Sequence, residues 1–185
     1  MELGRIDIER LVFVDEMGTH TSLAPLYAYA PVGQRAFFEI PRNRGKNTTL
    51  IAAITLEGAM GQSMTIEGAT DALAFEAYVE HFLAPSLSEG QVVVLDGLGA
   101  HRRTERVREL VEARGADLLF LPSYSPDLNP IEEAFSKIKH LVRKAGARVR
   151  GALVGTIARA LAAVTIEDAA GWFVHAGYRP QDQPL

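Results

Sequence analysis

Apolar runs of strand length alternate along the chain with polar stretches that are rich in glycine and proline. Residues 11–14 and 92–95 are the two clearest runs, and their lack of polar interruption is typical of strands buried on both faces. Each run is followed at once by an acid, Asp15 in the first case and Asp96 in the second. The pattern predicts two central strands, each with a carboxylate at its exit.

The segment between these two strands contains further extended patterns bounded by turn residues. It predicts strands at about residues 35–40, 48–56 and 63–66, which together form an antiparallel three-strand meander. From residue 71 the apolar positions recur every three or four residues, which predicts a helix that ends at Pro85.

The second half of the chain alternates between helical and extended patterns. Helices are predicted at residues 104–114, 129–144 and about 151–172, and a further strand at residues 118–121. Strands first, followed by alternating strands and helices, define an α/β fold whose mixed central sheet is flanked by helices.

The acids that follow the two central strands are candidates for a functional site. Ligands of open α/β sheets bind at the carboxyl ends of the strands, where Asp15 and Asp96 lie. An aspartate in this position is more commonly a turn former or a helix cap, so either acid alone is weak evidence.

A third acid, Glu132, lies at the start of the helix predicted at residues 129–144. Asn129 suits the N-cap and Pro130 the first helical position, so Glu132 could complete a capping box. The positive end of the helix dipole would also keep the Glu132 carboxylate ionised, as a metal ligand requires. Both interpretations stay open at this point.

The same helix has distinct faces. Glu132 lies at the edge of an apolar stripe that must face the core, whereas Glu133 points away and is expected to be a surface acid. Ser136, Lys139 and Arg143 continue the flank of Glu132, either as an ordinary exposed face or as a track for a phosphate backbone. The stripe consists of Ile131, Ala134, Phe135, Ile138, Leu141 and Val142.

Composition narrows the possible classes of protein. The chain has 185 residues, no cysteine and a formal net charge of −4, from 19 basic and 23 acidic residues. The missing cysteines exclude a disulfide framework and thiolate zinc sites. The net charge argues against general affinity for nucleic acid but leaves a local basic track possible. Without a leader or a long apolar helix, we expect a cytoplasmic protein that does not enter the membrane.

Three carboxylates from two strands and a helix could hold two divalent cations about 4 Å apart. Oxygen ligands favour Mg²⁺ or Mn²⁺ over zinc. Such a site serves phosphodiester chemistry, in which one ion activates the attacking oxygen and the other stabilises the leaving oxygen. We therefore expect a metal-dependent phosphoryl-transfer enzyme.

Several motifs resemble the DDE superfamily endonuclease domain of bacterial insertion-sequence transposases related to mariner. The specific motif is residues 121–132, LPSYSPDLNPIE, and residues 14–16 and 95–101 match less specifically. Residues 30–34 and 172–178 add support, and 35 residues separate Asp96 from Glu132. The resemblance extends over about residues 10–178.

The resemblance implies an RNase H-like fold with Asp15, Asp96 and Glu132 as catalytic residues and metal ligands. It implies two Mg²⁺ ions, for which Mn²⁺ substitutes, and cleavage of DNA at transposon ends followed by transfer of the 3′-hydroxyl into target DNA. Gly97 departs from the family, which often has asparagine there, and His101 matches the histidine of the motif. The residues expected to contact DNA are His101, Arg102, Arg103, Lys139 and Arg143.

Full-length members of the family carry an N-terminal helix-turn-helix region, and no recognition helix is evident before the first strand. We expect residues 1–185 to be a single catalytic domain that forms a homodimer, associates with the nucleoid and acts with an upstream helix-turn-helix partner or fusion. Two alternatives were weighed. A catalytically silent fragment could bind DNA or dimerise as a regulator. A Mg²⁺ phosphotransferase is disfavoured, because no second aspartate follows two residues after Asp15 and no P-loop occurs.

Overall fold

The computed structural model describes residues 7–43, 45–57, 59–96 and 104–179. Its strands form one sheet in the order β3-β2-β1-β4-β5. The first three strands pair antiparallel, and β4 and β5 run parallel to β1. The strands are β1 (Leu11–Thr19), β2 (Thr48–Thr55), β3 (Ala59–Glu67), β4 (Val92–Leu95) and β5 (Asp117–Phe120).

Helices cover both faces of this sheet, as expected. One face packs against α4, α5 and α6, and the other against α1, α3 and the π-helical turn that follows α1. No helix within the described ranges is long and apolar enough to cross a membrane. The helices are α1 (Ala72–Tyr78), α2 (Ala84–Ser86), α3 (Thr104–Glu112), α4 (Ile131–Ala145), α5 (Arg150–Ala162) and α6 (Ile166–His175), with a π-helical turn (Val79–Leu83) between α1 and α2.

Alternation along β1 explains why this strand lies at the centre. Phe13 and Met17 pack into the core below α4, and Val12 and Val14 pack into the opposite core below α3. The Phe13 ring meets Phe173 of α6 edge-on at a centroid distance of 5.4 Å. Both faces of β1 are therefore filled, as the uninterrupted apolar run predicts.

The strand predicted at residues 35–40 is not formed. Residues 24–40 run as an irregular, exposed connection between β1 and β2, and β2 pairs with β1 instead through residues 48–54. The strand prediction was wrong because the apolar side chains here meet no partner strand: Tyr29 and Phe37 are almost completely exposed. We call residues 24–40 the aromatic arm.

Arg148, between α4 and α5, closes the base of the aromatic arm. Its Nη1 donates to the carbonyl oxygens of Thr21 and Leu23, each at 2.9 Å. Its Nη2 donates to the carbonyl oxygen of Glu39 at 3.4 Å, and the guanidinium lies over the Phe38 ring at 5.2 Å. One side chain thus holds the outgoing and returning ends of the arm together.

The helix predicted from residue 71 differs from its expected form in two ways. Pro85 lies inside α2 rather than ending the helix. The π-helical turn also shifts the buried face, because a π turn adds a residue to the helical repeat. Val79 and Leu83 are buried, whereas Leu73 and Phe82, which the periodicity placed on the apolar face, are exposed.

The helix predicted at residues 151–172 is two helices, α5 and α6. Thr165 ends the connection between them with a capping box, in which its Oγ1 accepts from the amide of Asp168 at 3.2 Å. The Asp168 carboxylate accepts in return from the amide of Thr165 at 2.9 Å. This reciprocal pair supplies the start signal for a new helix where periodicity alone predicts continuity.

Candidate active site

The position of Asp15 follows from how β1 pairs with its two neighbours. Asp15 was predicted to lie at the exit of its strand. This is wrong, because β1 continues to Thr19 and Asp15 lies within it. The parallel pairing of β1 with β4 ends at Val14 and Leu95. The next residue in this register is Asp15 on one strand and Asp96 on the other. The two acids therefore lie level with each other where the strands diverge.

Asp15 lies two residues from both Phe13 and Met17, and residues at this spacing along a strand share a face. It therefore points to the face of the sheet that α4 covers. Its Oδ1 accepts from the amide of Glu16 at 2.7 Å. Its Oδ2 accepts from Nδ2 of Asn129 at 3.0 Å. Asn129 is only 5% exposed and immediately precedes the first turn of α4. One hydrogen bond thus joins the central strand to the start of the helix that carries Glu132.

Asn129 does not cap α4, which corrects the prediction. The helix begins at Ile131, and no side-chain hydrogen bond caps its N-terminus. The backbone carbonyl of Asn129 accepts from the amide of Glu132 at 3.1 Å, but its side chain is turned toward Asp15. Glu132 forms no capping box and is exposed, so its carboxylate is available for another role.

Electrostatics link the three acids. Burial first of all, and then the negative charges of Glu132, Asp96 and Glu16, together raise the pKa of Asp15 to about 7, against the lowering effect of the Glu16 amide. The charges of Asp96 and Glu132 therefore reach Asp15 even though the three residues come from separate elements. A cation placed among them would offset this repulsion.

The donor set fits a hard divalent cation in its chemistry, since it consists of carboxylate oxygens. Within the described part of the chain, however, no three His, Asp or Glu side chains are close enough together to form a preformed metal cage. Asp15, Asp96 and Glu132 are therefore close enough to interact electrostatically but do not form such a cage.

The other predicted site residues fall into two groups. Lys139 and Arg143 are partly buried on α4, whose apolar stripe is buried as predicted apart from the partly exposed Leu141. His101, Arg102 and Arg103 lie outside the described residues, as does the segment that contains Gly97.

Glu133 is a surface acid, as predicted, with a side chain that is 44% exposed, and it has a partner. Its Oε1 lies 3.0 Å from Nδ1 of His175 at the end of α6. The two residues border an open pocket of about 290 Å³ between the start of α4 and the end of α6, which Trp172 and Glu132 also line. This α4–α6 pocket therefore shares Glu132 with the three candidate acids.

Sequence reasoning missed two features of this region. The partnership of Asn129 with Asp15 was hidden by its good fit to a helix cap. Tyr124 has a φ of 62°, and it is 82% exposed in the loop that leads to α4. A non-glycine residue in the left-handed region is uncommon and concentrates at functional sites, but a sequence carries no direct signal of it.

The comparisons with known proteins agree with this geometry. The family model described as DDE superfamily endonuclease matches residues 10–153, and the chain belongs to this family. No curated protein matches the chain in sequence.

Solved structures of the Mos1 transposase share the fold. The chain superposes on a Mos1 paired-end complex with left transposon end with a TM-score of 0.72 and 20% identity, covering 92% of this chain and 52% of that one. For the Mos1 strand transfer complex the TM-score is 0.69 and the identity 21%, with 90% and 51% covered. The chain thus spans about half the length of these transposase chains, and the expectation of an RNase H-like fold is confirmed.

Proposed function

We propose that the chain is the catalytic domain of a transposase that cuts DNA at transposon ends and transfers the resulting 3′-hydroxyl into target DNA. The observation that carries this proposal is the pairing register that sets Asp15 level with Asp96 below the helix of Glu132. Membership of the DDE superfamily endonuclease family supports it. The structural neighbours, which are named as paired-end, pre-cleavage and strand transfer complexes of Mos1, support it further.

In this proposal Asp15, Asp96 and Glu132 hold Mg²⁺ or Mn²⁺. Two of the Mos1 neighbours are described as paired-end complexes with Mn and with Mg. When bound, the ions would activate a water or a 3′-hydroxyl and stabilise the leaving oxygen. Two ions would suit the three carboxylates, which together offer six oxygen ligands.

The surrounding residues prepare the carboxylates for this task. Asn129 and the Glu16 amide each donate to one oxygen of Asp15, which fixes its orientation and stabilises its ionised form. The start of α4 presents the positive end of its dipole near Glu132. A carboxylate that is already oriented can bind a cation without reorganisation of the site, and the cation would offset the repulsion that raises the pKa of Asp15.

Cationic residues would hold the DNA beside these acids. Lys139 and Arg143 follow Glu132 on α4 and can neutralise successive phosphates, and His101, Arg102 and Arg103 extend the same role after Asp96. Such contacts supply affinity without reading base sequence. Residues 1–185 would thus act as one catalytic domain that works as a homodimer at the nucleoid and receives its sequence specificity from a helix-turn-helix partner or fusion.

A nicking assay tests the proposal. Supercoiled plasmid incubated at low salt with the purified chain should be nicked with Mg²⁺ or Mn²⁺ and should remain intact with EDTA. Asp96→Asn should abolish nicking while leaving the far-ultraviolet circular dichroism unchanged. Asp117→Asn, at the exposed start of β5, is the matched control and should nick like the original chain.

Two results would overturn the assignment. Nicking retained by Asp96→Asn would place the chemistry elsewhere. A folded chain that retards DNA in a gel but never nicks it with either ion would instead favour the silent regulator.

A further inference from the structure

The α4–α6 pocket adjoins the acid site without being explained by it. Asn129, whose Nδ2 binds Asp15, lines this pocket, and Glu132 lines it as well. Any group that occupies the pocket therefore lies beside Glu132, one of the three carboxylates proposed to bind metal.

The walls of the pocket suit a flat apolar ring. Trp172 of α6 and the rings of Pro126 and Pro130 contribute to its lining. Trp172 packs against the core below α4 but stays partly exposed and borders the pocket. Planar nucleobases stack on aromatic side chains regardless of their identity, because every base has a π face.

The charge of the rim excludes phosphate. Asp127, Glu132 and Glu133 surround the pocket, and His175 is the one basic side chain among the residues that line it. His175 is already paired with Glu133. A phosphate would meet net repulsion here, whereas carboxylates accept hydrogen bonds from the amino groups that adenine, cytosine and guanine carry.

The size of the pocket favours a single base over a larger ligand. Its volume of about 290 Å³ lies just below the range of about 300–1,000 Å³ that is typical of small-molecule sites. A base that turns out of the stack at an end or nick costs less than one in an intact duplex, and ends are what a transposase handles.

We propose that the α4–α6 pocket is a subsite for one unstacked nucleobase of the DNA, next to the phosphate that is cut or joined, with Trp172 as its stacking platform and Glu133 as an acceptor for base amino groups. This inference rests on the proposed function and adds to it a residue-level contact with a base. Through this pocket the catalytic domain itself contacts a base at the DNA end.

Tryptophan fluorescence gives a direct test, because Trp172 is the only tryptophan of the chain. A short duplex with one unpaired adenosine at a 3′ end should quench the emission saturably at low salt. The same duplex with an abasic overhang should bind through its phosphates but quench little. Equal quenching by both duplexes would overturn the inference.

Variants test the contact through affinity, measured by anisotropy of labelled DNA. Trp172→Leu should weaken binding of the adenosine-overhang duplex by about tenfold, whereas binding of the abasic duplex should be nearly unchanged. Trp172→Phe should keep part of the difference. Tyr29→Leu, in the fully exposed aromatic arm, is the matched control and should preserve the preference for the adenosine overhang.

The rim gives a second test that does not depend on the stability of the Trp172 variants. An unpaired adenosine or cytidine should bind more tightly than an unpaired thymidine, which lacks an amino group. Glu133→Gln should reduce this difference by several fold. A Glu133→Gln variant with an unchanged preference would contradict the acceptor role.

The two proposals fail in different ways. If the chain nicks plasmid in an Asp96-dependent manner but treats base and abasic overhangs alike, the base subsite is wrong and the proposed function stands. If plasmid is never nicked, the proposed function fails, and a base-dependent quench would then identify a binding site alone. Free adenosine monophosphate should quench only weakly, since it lacks the phosphate contacts of a duplex.

Discussion

The Nδ2 of Asn129 donates a hydrogen bond of 3.0 Å to Oδ2 of Asp15 across 114 residues of sequence. This contact joins the centre of the sheet to the start of α4, and it is nearly buried. It makes Asn129 the residue through which the position of α4 and the orientation of the Asp15 carboxylate depend on each other.

Removing this donor should weaken both the fold and the site. Asn129→Ala should lower the free energy of unfolding by about 1–2 kcal/mol, because the buried Asp15 oxygen loses a partner. Nicking should fall by about tenfold or more, since a misplaced ligand is costly. Urea unfolding and the plasmid assay measure the two effects, and Asn43→Ala in the exposed loop before β2 is the control. Unchanged nicking by Asn129→Ala would show that this hydrogen bond does not position the acid.

Neutralising Asp15 should stabilise the metal-free protein while abolishing nicking. Folding raises the pKa of Asp15 from 3.8 to about 7, so the folded chain holds this proton more tightly than the unfolded chain. The stability that this group contributes is full below about pH 4 and is lost as the pH rises through about 7. With EDTA at about pH 8, Asp15→Asn should therefore be the more stable protein, by at most about 4 kcal/mol.

The pH dependence of this difference is the decisive measurement. Urea unfolding with EDTA should show that the advantage of Asp15→Asn grows from about pH 4 to about pH 8. Glu105→Gln, which changes an exposed acid of α3, should show no such growth. A difference that is constant with pH would mean that Asp15 is not destabilised by its surroundings.

Arg148 should control how firmly the aromatic arm is held. Arg148→Lys keeps the charge but cannot donate to both ends of the arm at once, because an ammonium lacks the planar fork of a guanidinium. Chymotrypsin should then cut the arm several times faster, at residues such as Tyr27 and Phe37. Arg108→Lys, in an exposed ion pair of α3, is the matched substitution. Equal cleavage rates for the two variants would show that Arg148 does not close the arm.

The capping box of α6 should contribute to stability in a pH-dependent way. Thr165→Ala should cost about 1 kcal/mol. A hydrogen bond from Lys137 lowers the pKa of Asp168, and the amide of Thr165 lowers it further. The stability from Asp168 is therefore present above its unfolded pKa and is lost as the pH falls. Melting temperatures should show Asp168→Asn to be less stable than the original chain at about pH 7 but closer to it at about pH 3. A loss of the same size at both values would assign the effect to packing.

Local patterns in the sequence determined much of the fold. The uninterrupted run of residues 11–14 predicted a strand buried on both faces, and alternation along β1 fills two separate cores. The stripe of α4 predicted its buried face. These predictions succeeded because periodicity reports directly on which side chains of one element must leave water.

The tertiary structure alone decided features that depend on distant partners. The apolar side chains of the aromatic arm resemble those of a strand, but whether they pair depends on an open sheet edge, and β2 takes that edge instead. The π-helical turn shifts a helical face by a residue, which no periodicity encodes.

In the candidate site, too, some features follow from the local sequence and others from tertiary contacts. The sequence by itself determined that Asp15 and Asp96 each follow an apolar run and that Glu132 lies at the start of a helix. Only the tertiary structure decided that Asp15 lies inside β1, that it is level with Asp96, and that Asn129 binds it instead of capping α4. The physical reason is that a cap forms within one turn of chain, whereas strand register and helix docking are set by the packing of the whole core.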